Sequence, residues 1–252
     1  MTYFEGFIVP VPEGHKQAYT MHANDVAAAL RDVGVRRQVE CWENDVPEGK
    51  LTDFHKAVAA TAGEKVVFAW FEYPDRRSRD AANEAMMSSA RLMELSKDVP
   101  FDGKRMIVGG FEAIVEEGQG GGAYTDGFVV PVAIAKREAY RALAAKMANA
   151  FRERGATRVI EAFGDDVPKG KVTDFYRAVK AETGESVVFS FIEWPDKATR
   201  DQAWKAIMED ESMRPDGEMP FDGKRMFWGG FEAVIDSARN EQPAGTAAPL
   251  TA

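Results

Sequence analysis

The sequence predicts an α+β protein. Two βαββαβ repeats are fused in one chain, and their sheets are expected to pack face to face as a pseudo-dimeric barrel. Three observations lead there. Laid on itself with Tyr3 against Tyr124, the chain stays in register to Met87 against Met208; one residue is then lost, and Pro100 falls on Pro220. The string PFDGKRM stands unchanged at Pro100–Met106 and at Pro220–Met226. Each copy also reads through the same succession of strand-like and helix-like patterns.

Within the first copy, YFEGFIVPV is rich in aromatic and β-branched residues and predicts a strand. GHKQAYTMHANDVAAALRDVG has a helical composition and ends at Gly34; its counterpart AKREAYRALAAKMANAFRERG is a stronger helix former and ends at Gly155. RRQVECWEN is a second strand. VPEGKLTDFHKAV holds a turn at Pro47–Gly49, then a short helix with Thr52 as candidate N-cap. EKVVFAWFEYP is a third strand closed by Pro74, DRRSRDAANEAMMSSARLMEL a second long helix, and KRMIVGGFEAIVE a fourth strand. That order is the ferredoxin-like one.

The third strand implies the barrel. VVFAWF and its partner VVFSFI are almost continuously apolar, so both faces of the sheet need cover. Helices cover one face, and the other copy's sheet is expected to cover the second. Residues 1–116 and 124–237 are read as the two repeats, 117–123 as a flexible glycine-rich linker and 238–252 as a disordered tail.

Composition narrows the partners. The 252 residues carry a formal charge of −9, which disfavours nucleic acid or an anionic membrane surface. One cysteine, Cys41, rules out an intramolecular disulfide and a thiolate metal cage. The opening MTYFEGFIVPVPEGHK lacks the charge and apolar run of a secretory signal, and no run nears the roughly 18 apolar residues of a membrane span. A cytoplasmic protein is expected, with no encoded cofactor or metal, an intramolecular pseudo-dimer open to further homo-oligomerisation.

Two motifs fail. GQGGGA joins strand to strand and cannot aim a helix N-terminus at a pyrophosphate. GKLT and GKVT lack the earlier glycine of a phosphate loop, because Asn44 and Asp165 stand there. His15, His22 and His55 align with Lys136, Leu143 and Tyr176, so any role they have is not duplicated.

Both copies keep acidic and basic residues. Glu40/Glu161 and Glu72/Glu193 fall inside strands among aromatic neighbours, where a carboxylate is costly unless paired or protonated. They are candidate catalytic bases, although Arg37, kept as its equivalent Arg158 in the second copy, lies on the neighbouring strand and offers Glu72 a cross-strand ion pair. Lys104, Arg105, Lys224 and Arg225 open the fourth strand of each copy and are candidates to hold an anionic ligand oxygen. Asp53 and Asp174 suit the first turn of a short helix and are ligand-binding candidates as well. Asp45/Asp166 are expected to organise turns, and Arg79/Arg200 to pair within their own repeat. The glycine pairs Gly109–Gly110 and Gly229–Gly230 suggest a bulge or close backbone approach with room for a ligand.

ECWENDVPEGKLTDFHKAV, VVFAWFEYP and PFDGKRMIVGGFE, with their second copies, resemble the YbaA-like family of uncharacterised bacterial proteins, itself similar to the dimeric α+β barrel superfamily. The resemblance implies single domains that pair, here fused. That superfamily includes cofactor-free oxygenases, isomerases, cyclases, haem-degrading enzymes and plain ligand binders. The resulting expectation is a small-molecule protein with pockets between helix and sheet. It would act as a cofactor-independent oxygenase or isomerase on an aromatic or carbonyl compound; the alternative is a non-catalytic ligand-binding or stress-related module.

Overall fold

Strands and helices follow one another in the same order twice in the computed structural model, which describes residues 1–213 and 217–239. The first half runs β1 (Tyr3–Pro12), α1 (Lys16–Asp32), β2 (Arg37–Asp45), α2 (Phe54–Ala57), β3 (Glu64–Tyr73), α3 (Arg76–Ser88), α4 (Ala90–Leu95) and β4 (Ile107–Gly118). The second runs β5 (Tyr124–Ala133), α5 (Arg137–Glu153), β6 (Arg158–Asp166), α6 (Phe175–Ala178), β7 (Glu185–Trp194), α7 (Lys197–Glu209) and β8 (Phe227–Asp236). Of the tail expected at 238–252, everything from residue 240 lies outside the described residues.

Local chemistry sets the element ends. Gly34 and Gly155 stop α1 and α5 at φ +95° and +103°, a region where a Cβ is strained. Asp53 and Asp174, one residue beyond the expected Thr52, cap the short helices by accepting from the backbone N–H of Lys56 and Arg177. The single helix expected over 75–95 is broken. Ser89 leaves the helical region and its hydroxyl caps α4, as serine's short side chain favours. Lys104 and Arg105 likewise lie in a turn before β4, not on the strand.

The strands form one closed barrel in the order β1-β3-β2-β8-β5-β7-β6-β4. Each half contributes four neighbours, and the halves join edge to edge, β2 to β8 and β4 to β6. Two separate sheets face to face would leave four unpaired edges; zipping both seams leaves none.

The interior is solid. Phe68 stacks on Phe189 at 4.5 Å and Trp70 on Phe191 at 4.0 Å, each pair spanning the halves. A Cβ on Gly6 would sit 2.8 Å from the Phe189 ring, and one on Gly127 3.0 Å from Phe68. Phe54 and Phe175 of α2 and α6 join that core, where Thr52 donates to Ala178 O and Thr173 to Ala57 O. Gly109 backs onto Phe111 and Phe175, and Gly110 onto Tyr3, so these glycines admit rings rather than a ligand. The long helices pack on the outer face, over Tyr19, Ala23 and Trp42 in one half and Tyr140, Ala144 and Phe151 in the other.

Candidate functional site

Glu72 and Glu193 come together, with arginines. Arg37 donates to both oxygens of Glu193 (2.9 and 2.7 Å), to both of Asp236 (2.9 Å each) and to Glu72 (3.1 Å). Arg158 reaches Glu72 at 2.7 Å and Glu116 at 2.8 Å. Trp70 Nε1 and the Gly121 N–H supply further donors to Glu72 and Glu193. A Cβ at Gly120 would strike Arg37 and Glu193, so the linker needs glycine for close approach over this cluster. With both carboxylates held by arginines and additional donors, the geometry favours a lock between the halves over a base facing substrate.

The other retained charges are also paired, some across the halves and some within one. Arg79 pairs with Asp166 of the opposite half at 2.6 Å and with Asp80 of its own at 3.1 Å; Arg200 pairs with Asp126 (2.8 Å) and Asp201 (2.9 Å) of its own half and reaches Asp45 across the halves at 3.3 Å. Arg105 grips both oxygens of Glu64 (2.7 Å each), Asp102 and Ala59 O; Arg225 does the same with Glu185, Asp222 and Lys180 O. Ala59 and Lys180 carry the positive φ values 48° and 50°, and these arginines anchor their carbonyls. Lys104 and Lys224 are exposed and contribute backbone N–H groups to Asp102 and Asp222. Asp53 and Asp174 are occupied as caps. His55 pairs with Glu43 at 2.9 Å, which raises its pKa. Cys41 is buried in the core.

Glu40 and Glu161 have different surroundings. Each points outward from the barrel, beneath the first long helix of its half. Tyr140 donates to Glu161 Oε2 at 2.7 Å and Tyr19 to Glu40 Oε2 at 2.8 Å. Burial pushes both carboxyls up to about 7, against hydrogen bonds from Tyr140 and Ser190 in one case and from Tyr19 and Gln38 in the other. Each carboxyl lines a cavity between helix and sheet.

The cavities differ in size. The second-half cavity measures about 240 Å³ and the first-half one about 110 Å³. Glu161 keeps part of its surface open, whereas Glu40 is buried. The second wall is aromatic and methionine-rich, with Met147, Phe151 and Trp204 where the first half has Val26, Leu30 and Asn83. Trp204 is oriented by its Nε1–H on Asp126 (2.8 Å), a buried carboxylate that also accepts from Trp194 and Arg200.

The repeated string contributes to both walls through its apolar letters. Phe101 and Met106 line the smaller cavity, Phe221 and Met226 the larger. Sequence reasoning passed over these residues and the tyrosines. The available signal was Tyr19 and Tyr140, kept at matching positions on the first helix of each copy.

Comparison with known proteins bears on family and fold. A family model described as "Protein of unknown function (DUF1428)" matches residues 2–103 and again 123–223. The uncharacterised protein YbaA of Escherichia coli (strain K12) is 52% identical over 117 residues, spanning 46% of this chain and 100% of that protein. YbaA of Shigella flexneri matches equally. Among solved structures, a candidate monooxygenase from Fusobacterium nucleatum subsp. nucleatum superposes with TM-score 0.57 at 10% identity, covering 93% of each chain. One from Lactobacillus acidophilus NCFM gives 0.52 at 9% identity, over 93% of this chain and 95% of that one. At these identities the likeness is one of fold.

Proposed function

The chain belongs to the family of unknown function DUF1428, in two tandem copies, and on that premise we propose that it is a small-molecule barrel protein whose working site is the second-half cavity. Glu161 serves there as general base in cofactor-independent oxygenase or isomerase chemistry on an aromatic or carbonyl compound. In the same reading the chain is cytoplasmic, and residues 1–116 and 124–237 are two ferredoxin-like repeats forming an intramolecular pseudo-dimer. The strand order β4-β1-β3-β2, repeated as β8-β5-β7-β6, supports the repeats.

One observation carries the function: a carboxyl raised to about 7 by burial that lines an apolar cavity of about 240 Å³. A base is most effective when its pKa lies near the working pH. The carboxylate would take a proton from carbon beside a carbonyl, or from an aromatic hydroxyl, while the Tyr140 hydroxyl steadies the charge. The electron pair left on substrate then either recaptures the proton at another carbon, giving isomerisation, or reduces dioxygen, the oxidant an oxygenase would need. Trp204, Phe151 and the methionines suit a planar ring.

Hydrogen–deuterium exchange at the acidic carbon of small 1,3-dicarbonyl and phenolic compounds tests the proton step without depending on oxygen. Wild type should accelerate exchange, Glu161→Gln should lose about 10²–10⁴-fold of that acceleration, and Glu40→Gln should retain it. Exchange by Glu161→Gln at the wild-type rate would remove Glu161 as base. A second reading, binding without chemistry, is favoured by the matching Tyr19–Glu40 pair beside a much smaller cavity. It expects saturable binding of such compounds with no exchange at all.

A further inference from the structure

Gln38 on β2 is 1% exposed and lines the first-half cavity. Its Nε2 donates to Glu40 Oε1 at 2.8 Å and lies 3.5 Å from Ala23 O, a carbonyl that can only accept and so fixes the amide orientation. The Oε1 is left buried with no hydrogen-bond partner. A lone acceptor out of reach of solvent costs as much as a lost hydrogen bond, so it marks a place where a donor belongs. Phe7, Phe71 and Phe101 surround the rest of the space. At about 110 Å³ it is comparable to the ~150 Å³ apolar cavity that holds benzene. The second half has Val159 at the position of Gln38 and Leu143 at that of His22, and so lacks this acceptor.

We propose that the first-half cavity is a separate binding site for a single small aromatic ring bearing one N–H or O–H donor, which Gln38 Oε1 accepts. The tandem copies therefore take different ligands. The smaller cavity requires a donor, because a ring without one leaves the Gln38 oxygen unsatisfied, and the larger one makes no such demand at Val159. This proposal does not depend on the function assigned to the second half.

Pyrrole and furan, rings of nearly one shape that differ in the N–H, are the probes. Methyl-¹³C methionine NMR of the full chain separates the sites, since Met106 lines the first cavity and Met226 the second. The Met106 methyl should shift saturably with pyrrole, and furan should bind about tenfold or more weakly. Gln38→Val, which copies the residue found at 159, should bring pyrrole down to the level of furan. Equal affinities, a preference that survives Gln38→Val, or a Met106 signal unmoved by either probe (the oxygen then being satisfied by water) would each overturn the proposal. If Gln38→Val fails to fold, the wild-type comparison of the two rings decides alone.

Discussion

Glu161 and Glu40 are raised from an ordinary value of 4.5 to about 7, and that shift has a sign in stability. Between those values the folded protein binds protons that the unfolded chain has released. The contribution is full below about pH 4.5 and is lost as pH rises through about 7. Glu161→Gln should therefore stabilise the protein at pH 8 relative to pH 5, by on the order of 1–2 kcal/mol once the open cavity is allowed for. Urea unfolding at the two pH values checks this, and an equal effect at both would show that the carboxyl is not raised. Glu193 has a structural part, balancing Arg37 inside the barrel end. Glu193→Ala should cost about 3–5 kcal/mol by leaving a buried guanidinium short of its main partner, measurable by the same unfolding. Pairing of Glu72 with Arg37 was legible in the sequence, since neighbouring strands place them opposite one another. Arg37 with Glu193 and Arg158 with Glu72 were not, because those contacts cross between halves.

The turn that carries PFDGKRM shows at the next scale why retained cations misled. Its Asp-Gly pair announced a turn, and the turn is there. Arg105 and Arg225 point to Glu64 and Glu185, about 40 residues away in sequence, and nothing in the local string reveals that reach. What the clamp positions is apolar: Phe221 and Met226 on the larger cavity, Phe101 and Met106 on the smaller. Arg225→Ala should weaken binding of an apolar ring in the second cavity several-fold, and Lys224→Ala should leave it unchanged, as read by calorimetric titration. Equal losses would return the lysine to the site. The caps are simpler. Asp174→Ala should cost about 1 kcal/mol of stability through the lost cap on α6, with the cavity untouched.

At the scale of the molecule, the duplication and the barrel were both legible, the first from self-alignment and the second from a third strand too apolar to face water. The seams were not. Whether two sheets stack or zip depends on edge pairing, and edge hydrogen bonds leave no periodic mark in sequence. The seams carry a prediction. An isolated first half, about the length of the 117-residue relatives, would expose β2 and β4 as bare edges and should dimerise by pairing them across a two-fold axis. Light scattering on that piece should give a dimer; a stable folded monomer would mean that the seams are not what holds the halves together.

The site itself is tested most directly by following the ¹³C-carboxyl resonance of Glu161 across pH, with and without indole, a ring too large for the smaller cavity. The expected result is a midpoint near 7 in the free protein, displaced when indole is added, while the Glu40 resonance stays where it was. A midpoint in the ordinary range near 4.5, indifferent to indole, would contradict a proton-accepting ligand site in the second half.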